Sequence, residues 1–309
     1  MSDDRMDARN RLAAVEHLKR VSAGGVITVD ELRAGFFVDG QRIPLINPQR
    51  GIFKPASMKH LLSVRTVYPR TGARVWYDDQ RTVHTQIERG DELIDYAFMG
   101  TDANAADNRW LHDARDGQIP ILYFLGVAPQ RYTFIWPTYV ADWSASDLKV
   151  RLAFGAPVTA NKQWSIPDAR ERRYGLRLVR QRLHQATFRE AILTAYGNRC
   201  AITGLPETRL LDAAHIMPDQ DEEFGQPIVQ NGLPLSKIHH AAFDANLIGI
   251  DSDYRIHVSE ALLSMNDGPM FEYGLKAMAG QLIKLPSRSQ DYPDRDRLAE
   301  RFSQFEVDR

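Results

Sequence analysis

One stretch, Cys200 to Asp251, reads CAITGLPETRLLDAAHIMPDQDEEFGQPIVQNGLPLSKIHHAAFDANLIGID and gathers side chains that can move protons or hold a cation. Asp212 and His215 sit in DAAHI, Asn231 in QNGLPLS, and His239, His240 and Asp244 in IHHAAFD. A neutral imidazole takes a proton from water near neutral pH, which makes His215 a candidate general base. Imidazole and carboxylate together suit Mg²⁺ or a first-row divalent ion, so His240 and Asp244 are candidate ligands. A cation held there polarises the oxygens of a phosphorus centre that the resulting hydroxide attacks. Asn231 either fixes its loop or orients the His215 ring by accepting from the second ring nitrogen.

The elements that must position these residues follow from local pattern. RLLDAAHI (209–216) reads as a strand, IVQNGLPLS (228–236) as the approach to a helix, and KIHHAAFDANL (237–247) as that helix. On a helix His240 and Asp244 are four residues apart and share a face. His239 points roughly 100° away from His240, which suits a surface or supporting position. Strand alternation puts Asp212 on the face opposite His215, so a bulge or bend is needed for it to join the ligands.

The rest of the chain supplies a setting. Residues 4–21 read as a helix, with Leu12, Val15, Leu18 and Val21 at three-residue spacing. FFVDGQRIPLI (36–46) holds an Asp39-Gly40 turn between apolar arms, a hairpin signal. ARVWYDDQ (73–80) reads as a strand end, DELIDYAFMG (91–100) and RYTFIWPTYVADW (131–143) as strands, and IPILYFLGV (119–127) as the central strand. Residues 101–117 read as a loop leading into a helix. For 57–68, helix and strand both remain open. Many short strands with few helices predict a small curved sheet or barrel ending near residue 155.

GAPVTANKQWSIPD (155–168) has two prolines and no period, as a linker does. The following helix, 169–197, carries seven arginines between 169 and 189 against the single acid Glu171. They form either a solvated face or a set of phosphate contacts, with Arg173, Arg177 and Arg180 the chosen candidates. A terminal helix is expected around 294–305.

The chain has 309 residues, enough for two domains, with 43% hydrophobic and 26% charged residues. Lys and Arg number 39 against 40 Asp and Glu, so basic character must be local if it exists. No apolar run approaches the roughly 18 residues of a membrane span. MSDDRMDARNRL has no apolar core of the secretory kind, and a cytoplasmic location without membrane partners is the expectation. The lone Cys200 excludes an internal disulfide and a four-cysteine zinc site.

The order His, Asn, His in DAAHI…NGLPLS…HHAAFD resembles the HNH nucleases. The resemblance covers about residues 185–255. It implies a ββα-metal unit, a two-stranded hairpin and a helix around one divalent cation, Mg²⁺ or Mn²⁺. Carried over position by position, His215 resembles the general base, Asn231 the orienting asparagine and His240 the helix histidine. Asp244 matches a second helix ligand and Asp212 the completing acid. Many HNH proteins frame this unit with two CxxC knuckles. CAIT (200–203) keeps one thiol, so no structural zinc is expected, and Cys200 is read as a small buried residue.

Joined to a strand-rich N-terminal half, the unit also resembles predicted restriction endonucleases whose reader is SRA-like or PUA-like. Such readers extrude a modified cytosine, which requires stacking rings and polar groups for the base edge. WYDDQ (76–80) is similar to the YDG signature of SRA domains, with Asp79 in place of the glycine. Tyr77, Asp78, Asp79, Tyr96 and Asp102 become candidate pocket residues, and Arg50 and Lys54 candidate phosphate contacts. The competing reading makes these aromatics core and these acids turn residues.

The expected organisation is α+β. A β-rich SRA/PUA-like barrel domain over 1–155 recognises the modified base, 156–184 is linker and basic helix, and 185–309 is the HNH domain with flanking helices. The expected activity is that of a metal-dependent restriction-type endonuclease on double-stranded DNA carrying 5-methyl- or 5-hydroxymethylcytosine. One HNH unit cuts one strand, so a double-strand cut calls for a homodimer or two binding events. The alternatives are a defence effector whose N-terminal domain senses a small ligand or partner, and a silent DNA-binding module.

Overall fold

IPILYFLGVA becomes β7 (Ile121–Ala128), and its unbroken apolar run has a direct cause in the fold. The structure, a computed structural model, describes residues 3–68, 79–156, 164–221, 224–265 and 268–308. Along β7, Ile121, Tyr123, Leu125 and Val127 enter one hydrophobic core, while Leu122 and Phe124 enter another. A strand covered on both faces needs apolar residues at every position, whereas one-sided burial gives alternation.

The described residues fall into two compact units, Met1–Ala186 and Thr187–Arg309. The first opens with α1 (Asp3–Val21), β1 (Ile27–Thr28) and α2 (Val29–Ala34). Next come the strands β2 (Phe36–Val38), β3 (Gln41–Ile43), β4 (Ile52–Phe53) and β5 (Ser63–Thr66). Then follow α3 (Asp79–Arg89), β6 (Ile94–Ala97), α4 (Ala106–Asp116), β7, β8 (Arg131–Ser144) and β9 (Lys149–Phe154). α5 (Ala169–Ala195) runs from this unit into the next.

The main sheet follows the order β4-β5-β7-β8-β9-β6, with β1 added to β8. Among the described residues only β5 and β7 pair in parallel. Register shifts in the β7–β8 and β8–β9 pairs bend the long strand β8, as bulges do. Among the described residues β4 and β6 end the path, so the sheet is a curled half-barrel, the curved sheet of the two forms expected.

The unit also holds more helix than expected. Residues 79–80, read as a strand end, instead open α3, where Val83 and Ile87 are buried four residues apart at helical spacing. α3, α4 and the first part of α5 supply apolar residues to one core; α1, α2 and the β2–β3 hairpin supply the other. That hairpin turns at Asp39 (φ 49°) and Gly40 (φ 79°), the left-handed pair a two-residue loop requires. The segment 57–68 resolves into β5.

α1 is fixed through Arg11, 1% exposed in the core. Its guanidinium donates to the carbonyls of Pro120 (3.0 Å), Asp7 (3.1 Å) and Leu61 (2.5 Å). The Asp7 carboxylate lies 3.4 Å away and accepts from the backbone N–H groups of Lys59 and His60.

The second unit takes the end of α5, then β10 (Leu211–His215), β11 (Gly232–Ser236) and α6 (Lys237–Asp244). It closes with β12 (Ile248–Ile250), β13 (Ile256–Val258), α7 (Glu260–Ser264), α8 (Pro269–Gly274) and α9 (Arg295–Asp308). Phe188, Ile192, Leu193 and Tyr196 of α5 share a core with Leu211, Leu233, Leu235 and Phe243. Arg301 of α9 donates to the Phe243 carbonyl (2.6 Å) and the Asn246 side chain (2.5 Å), tying down the last turn of α6. No helix among the described residues is long and apolar enough to cross a membrane.

Replacing Arg11 with leucine leaves Asp7 buried without its cation and three carbonyls without their donor. The expected cost is about 3 kcal/mol of stability, read from urea unfolding followed by circular dichroism. A variant as stable as the wild type overturns this account of how α1 is held.

Candidate active site

β10 and β11 form an antiparallel ribbon with an unbroken register, from Leu211 opposite Ser236 to His215 opposite Gly232. Glycine at 232 lets α5 pack closely on the ribbon, because a β-carbon there would push into the side chains of Ile192 and Phe188. β11 leads directly into α6. Ser236 is its N-cap, and its hydroxyl accepts from the His239 N–H (3.3 Å).

α6 delivers His240 to a position between two carboxylates. Its Nδ1 lies 3.4 Å from Asp212 Oδ2 and its Nε2 lies 3.3 Å from Asp244 Oδ2. Lys237, one turn earlier, places its ammonium 3.9 Å from the other Asp212 oxygen. No bulge brings Asp212 round, because all five pairs of the ribbon are in register. Leu211 and Ala214 are buried, while Asp212 and His215 are both half-buried. The strong twist of a two-stranded ribbon accounts for this loss of strict alternation.

His215 ends β10. Its ring stacks face to face on Phe188 of α5, with centroids 4.1 Å apart and planes 5° apart. Its Nε2 is 2.8 Å from Asp219 Oδ1 but off the line of a hydrogen bond, and that buried nitrogen has no aligned partner. Burial pushes the imidazole below its ordinary value of 6.5; Asp219 and Asp244 act to raise it and His240 to lower it. The imidazole is therefore within electrostatic reach of the helix pair and favours its neutral form.

Asn231 is fully buried and holds the loop. Its Oδ1 accepts from the Met217 N–H (2.9 Å), and its Nδ2 donates to the carbonyls of Met217 (3.0 Å) and Gln226 (3.1 Å). Its backbone carbonyl also accepts from Ile216. Of the two roles considered for Asn231, these bonds serve loop fixing, and the amide makes no bond to the His215 ring. His239 is 4% exposed, so the surface position considered for it does not hold. Its ring spans Ser236 Oγ (2.6 Å) and the Gly274 carbonyl (2.7 Å). Cys200 is a free, buried thiol that accepts from the Ser236 N–H at 3.4 Å.

Sequence reasoning passed over Phe188, Asp219 and Lys237. Phe188 reads as one more member of the apolar stripe of α5. Asp219 lies in a loop whose path no periodicity predicts. Lys237 was available from helical spacing, three residues before His240.

In the N-terminal unit, Tyr77 and Asp78 lie outside the described residues, and Asp79 begins α3. Tyr96 is 4% exposed and turns its hydroxyl to the Arg65 carbonyl at 3.4 Å. Asp102 is exposed and accepts from the Asn104 N–H (2.8 Å) in a local turn. Arg50 pairs with the buried Asp107 (3.1 Å). Lys54 donates to the Met58 carbonyl (3.0 Å) and lies over the Trp110 ring. Arg173 pairs with Glu92 (3.5 Å), whereas Arg177 and Arg180 are exposed with no ion-pair partner among the described residues. The same unit has a cleft of about 880 Å³, lined among others by Thr82, Gln86 and Arg89 of α3, Asp95 and Ala97 of β6, and Lys149 of β9.

Asp212, His240 and Asp244 supply two carboxylates and an imidazole, a donor set that fits a divalent cation in kind. Among the described residues no group of three or more His, Cys, Asp and Glu side chains is already arranged around a cation position.

Residues 200–251 match the family model described as HNH endonuclease. The chain therefore carries an HNH endonuclease segment, and the enzyme class that goes with it is a nuclease, a hydrolase of phosphodiester bonds. HNH endonucleases generally use a divalent metal ion. One solved structure that matches is a modification-dependent TagI restriction endonuclease, 16% identical, covering 84% of this chain and 86% of that one at a TM-score of 0.31. No curated protein matches this chain.

A base acts in its deprotonated form, so cleavage is lost as pH falls through the His215 pKa. With that pKa held below 6.5, the acid limb of the cleavage rate is expected to have its midpoint below pH 6.5. Single-turnover rates across pH give the midpoint, and a value above 6.5 contradicts the reading of His215 as a base kept neutral by burial.

Proposed function

We propose that this chain is a DNA endonuclease of the restriction type, directed at DNA carrying modified cytosine, 5-methyl or 5-hydroxymethyl. The observation that carries the catalytic half is the placing of His215, Asp212, His240 and Asp244 on one ribbon and helix within the matched segment.

His215 is the general base. Its Nδ1 has no hydrogen-bond partner among the described residues and takes the proton of the attacking water. The new bond forms between that water oxygen and phosphorus, and the bond from phosphorus to the leaving sugar oxygen breaks. Asp212, His240 and Asp244 are the residues that would hold a divalent ion, Mg²⁺ or Mn²⁺. When bound there, the ion supplies charge neutralisation at the phosphate and at the leaving oxygen. Asn231 holds the loop that follows the base. Lys237 keeps positive charge beside Asp212.

The N-terminal unit is the reader, of an SRA/PUA-like kind. Supporting this are its curled sheet and the cleft beside β6, which is large enough for a nucleobase and offers donors and acceptors for a base edge. Arg177 and Arg180, one helical turn apart and without an ion-pair partner among the described residues, suit contacts to successive phosphates. The boundaries 1–155, 156–184 and 185–309 remain the proposed functional division. A double-strand cut requires two such units, as a homodimer or in two binding events, and a cytoplasmic location is consistent with this role.

The decisive experiment incubates the full chain and His215→Ala with Mg²⁺ or Mn²⁺ and matched DNAs carrying cytosine, 5-methylcytosine or 5-hydroxymethylcytosine. Cleavage of a modified DNA by the wild type alone is expected. Equal cutting of all three substrates removes the modification reading, and intact DNA with both proteins removes the enzyme reading.

Arg177→Ala with Arg180→Ala is expected to lower the slope of log affinity against log salt by about 2 while leaving the preference among the three DNAs unchanged. Fluorescence anisotropy on the three duplexes reads both quantities. An unchanged slope shows that these arginines do not touch phosphates.

A further inference from the structure

The orienting role that Asn231 is expected to play toward His215 has no bond behind it here, because both amide hydrogens and the amide oxygen are engaged at Met217 and Gln226. Yet a base that must take a proton from one water needs a fixed ring plane and a fixed tautomer. Two groups beside His215 can supply them. Phe188 covers one face of the ring at 4.1 Å with planes 5° apart, and Phe188 is itself 4% exposed in the core of the C-terminal unit. Asp219 has a carboxylate oxygen 2.8 Å from Nε2, the nitrogen that is buried without an aligned hydrogen bond.

We propose that Phe188 and Asp219 are the positioning residues of His215: Phe188 fixes the ring plane, and Asp219 fixes the proton on Nε2 so that the Nδ1 lone pair faces the water. This rests on the reading of His215 as the general base. The stack locks the ring because an imidazole sandwiched on a packed phenyl cannot swing without opening the core behind Phe188. Gly232 lies so close to the same phenyl that a β-carbon there would stand 2.7 Å from its Cζ, so Phe188 has little freedom of its own. The Asp219 side chain is 55% exposed and free to turn into line with the Nε2–H. A neutral imidazole with its proton on Nε2 has Nδ1 as its only acceptor, which is the state a general base needs.

Asp219 would act as acceptor for a ring that stays neutral in the ground state and as counter-charge once the ring takes the proton. The charged groups facing the ring are Asp219 from the loop and His240 and Asp244 from α6, and among the described residues the contact with Nε2 belongs to Asp219.

The test is a pair of double-mutant cycles on the full chain, with single-turnover nicking of cleavable plasmid as one readout and DNA affinity as the other. Phe188→Leu and Asp219→Asn are each expected to slow nicking by about 10–100-fold with unchanged affinity. On a His215→Ala background neither substitution is expected to slow the residual nicking further, because each acts through the imidazole. Equal losses with and without His215 overturn the proposal, and so does a Phe188→Leu or Asp219→Asn protein as fast as wild type.

A His215→Ala protein as fast as wild type overturns the base reading itself and the proposal with it. Nitrogen-15 spectra of His215 give a readout independent of cleavage. The wild type is expected to show the Nε2–H tautomer, and Asp219→Asn a mixture. A wild-type ring in the Nδ1–H form overturns the proposal even if Phe188→Leu fails to fold.

Discussion

The register of the β10–β11 ribbon is the constraint on which the candidate site depends. With Leu211 opposite Ser236 and His215 opposite Gly232, the ribbon ends where α6 begins, and His240 comes down beside Asp212. A slip of one residue would reverse the faces of β10 and carry Asp212 and His215 away from the helix. Three features fix the register. Gly232 admits the α5 side chains so closely that a β-carbon there would force Ile192 and Phe188 to shift. Leu211, Leu233 and Leu235 are buried in the core that receives Ile192 and Phe243. Asn231 closes the far end by bonding the chain just beyond His215. The residues that hold the ribbon are thus different from the residues that would do chemistry on it.

Much of this site was legible because its parts are local. His240 and Asp244 meet through helical spacing alone, and the ribbon-and-helix pattern is visible in the alternation of DAAHI and the apolar NGLPL. Asp212 was the harder case, since strict alternation argued against it. A two-stranded ribbon twists more than an average sheet, and a period of two then describes it poorly over five residues. Phe188 and Asp219 were beyond reach for another reason. Phe188 lies 27 residues before His215, and only the packing of α5 on β11 brings the rings together. The Asp219 contact depends on a loop whose path is set by buried side-chain bonds of Asn231 rather than by any repeating pattern.

In the N-terminal unit the same logic separates what could and could not be read. The β2–β3 hairpin announces itself through Asp39-Gly40, because only a few residues tolerate two successive left-handed positions. β7 is legible as a central strand, though its sequence does not say that two separate cores meet on it. Tyr96 shows why composition misleads about pockets. An aromatic residue on a strand is drawn to the interior for its apolar area, and here its hydroxyl finds a backbone carbonyl inside. Its neighbours Asp95 and Ala97 point the other way by alternation and line the cleft. A pocket assembled from strand-alternating neighbours is better sought among the residues beside a buried tyrosine than at the tyrosine itself.

A balanced net charge is compatible with a nucleic-acid substrate because the positive charge is unevenly committed. Arg11 and Arg189 are buried and donate to backbone carbonyls, and Arg50 and Arg172 are paired with Asp107 and Glu92. None of these is free to meet a phosphate without first giving up a partner. Arg177 and Arg180 are exposed on the same helix that sends Leu176, Val179 and Leu183 into a core, so their orientation is set by the burial of the opposite stripe. The apolar period of α5 thereby decides which arginines remain available. Its formal count of seven arginines between 169 and 189 overstates the surface that an anion would meet.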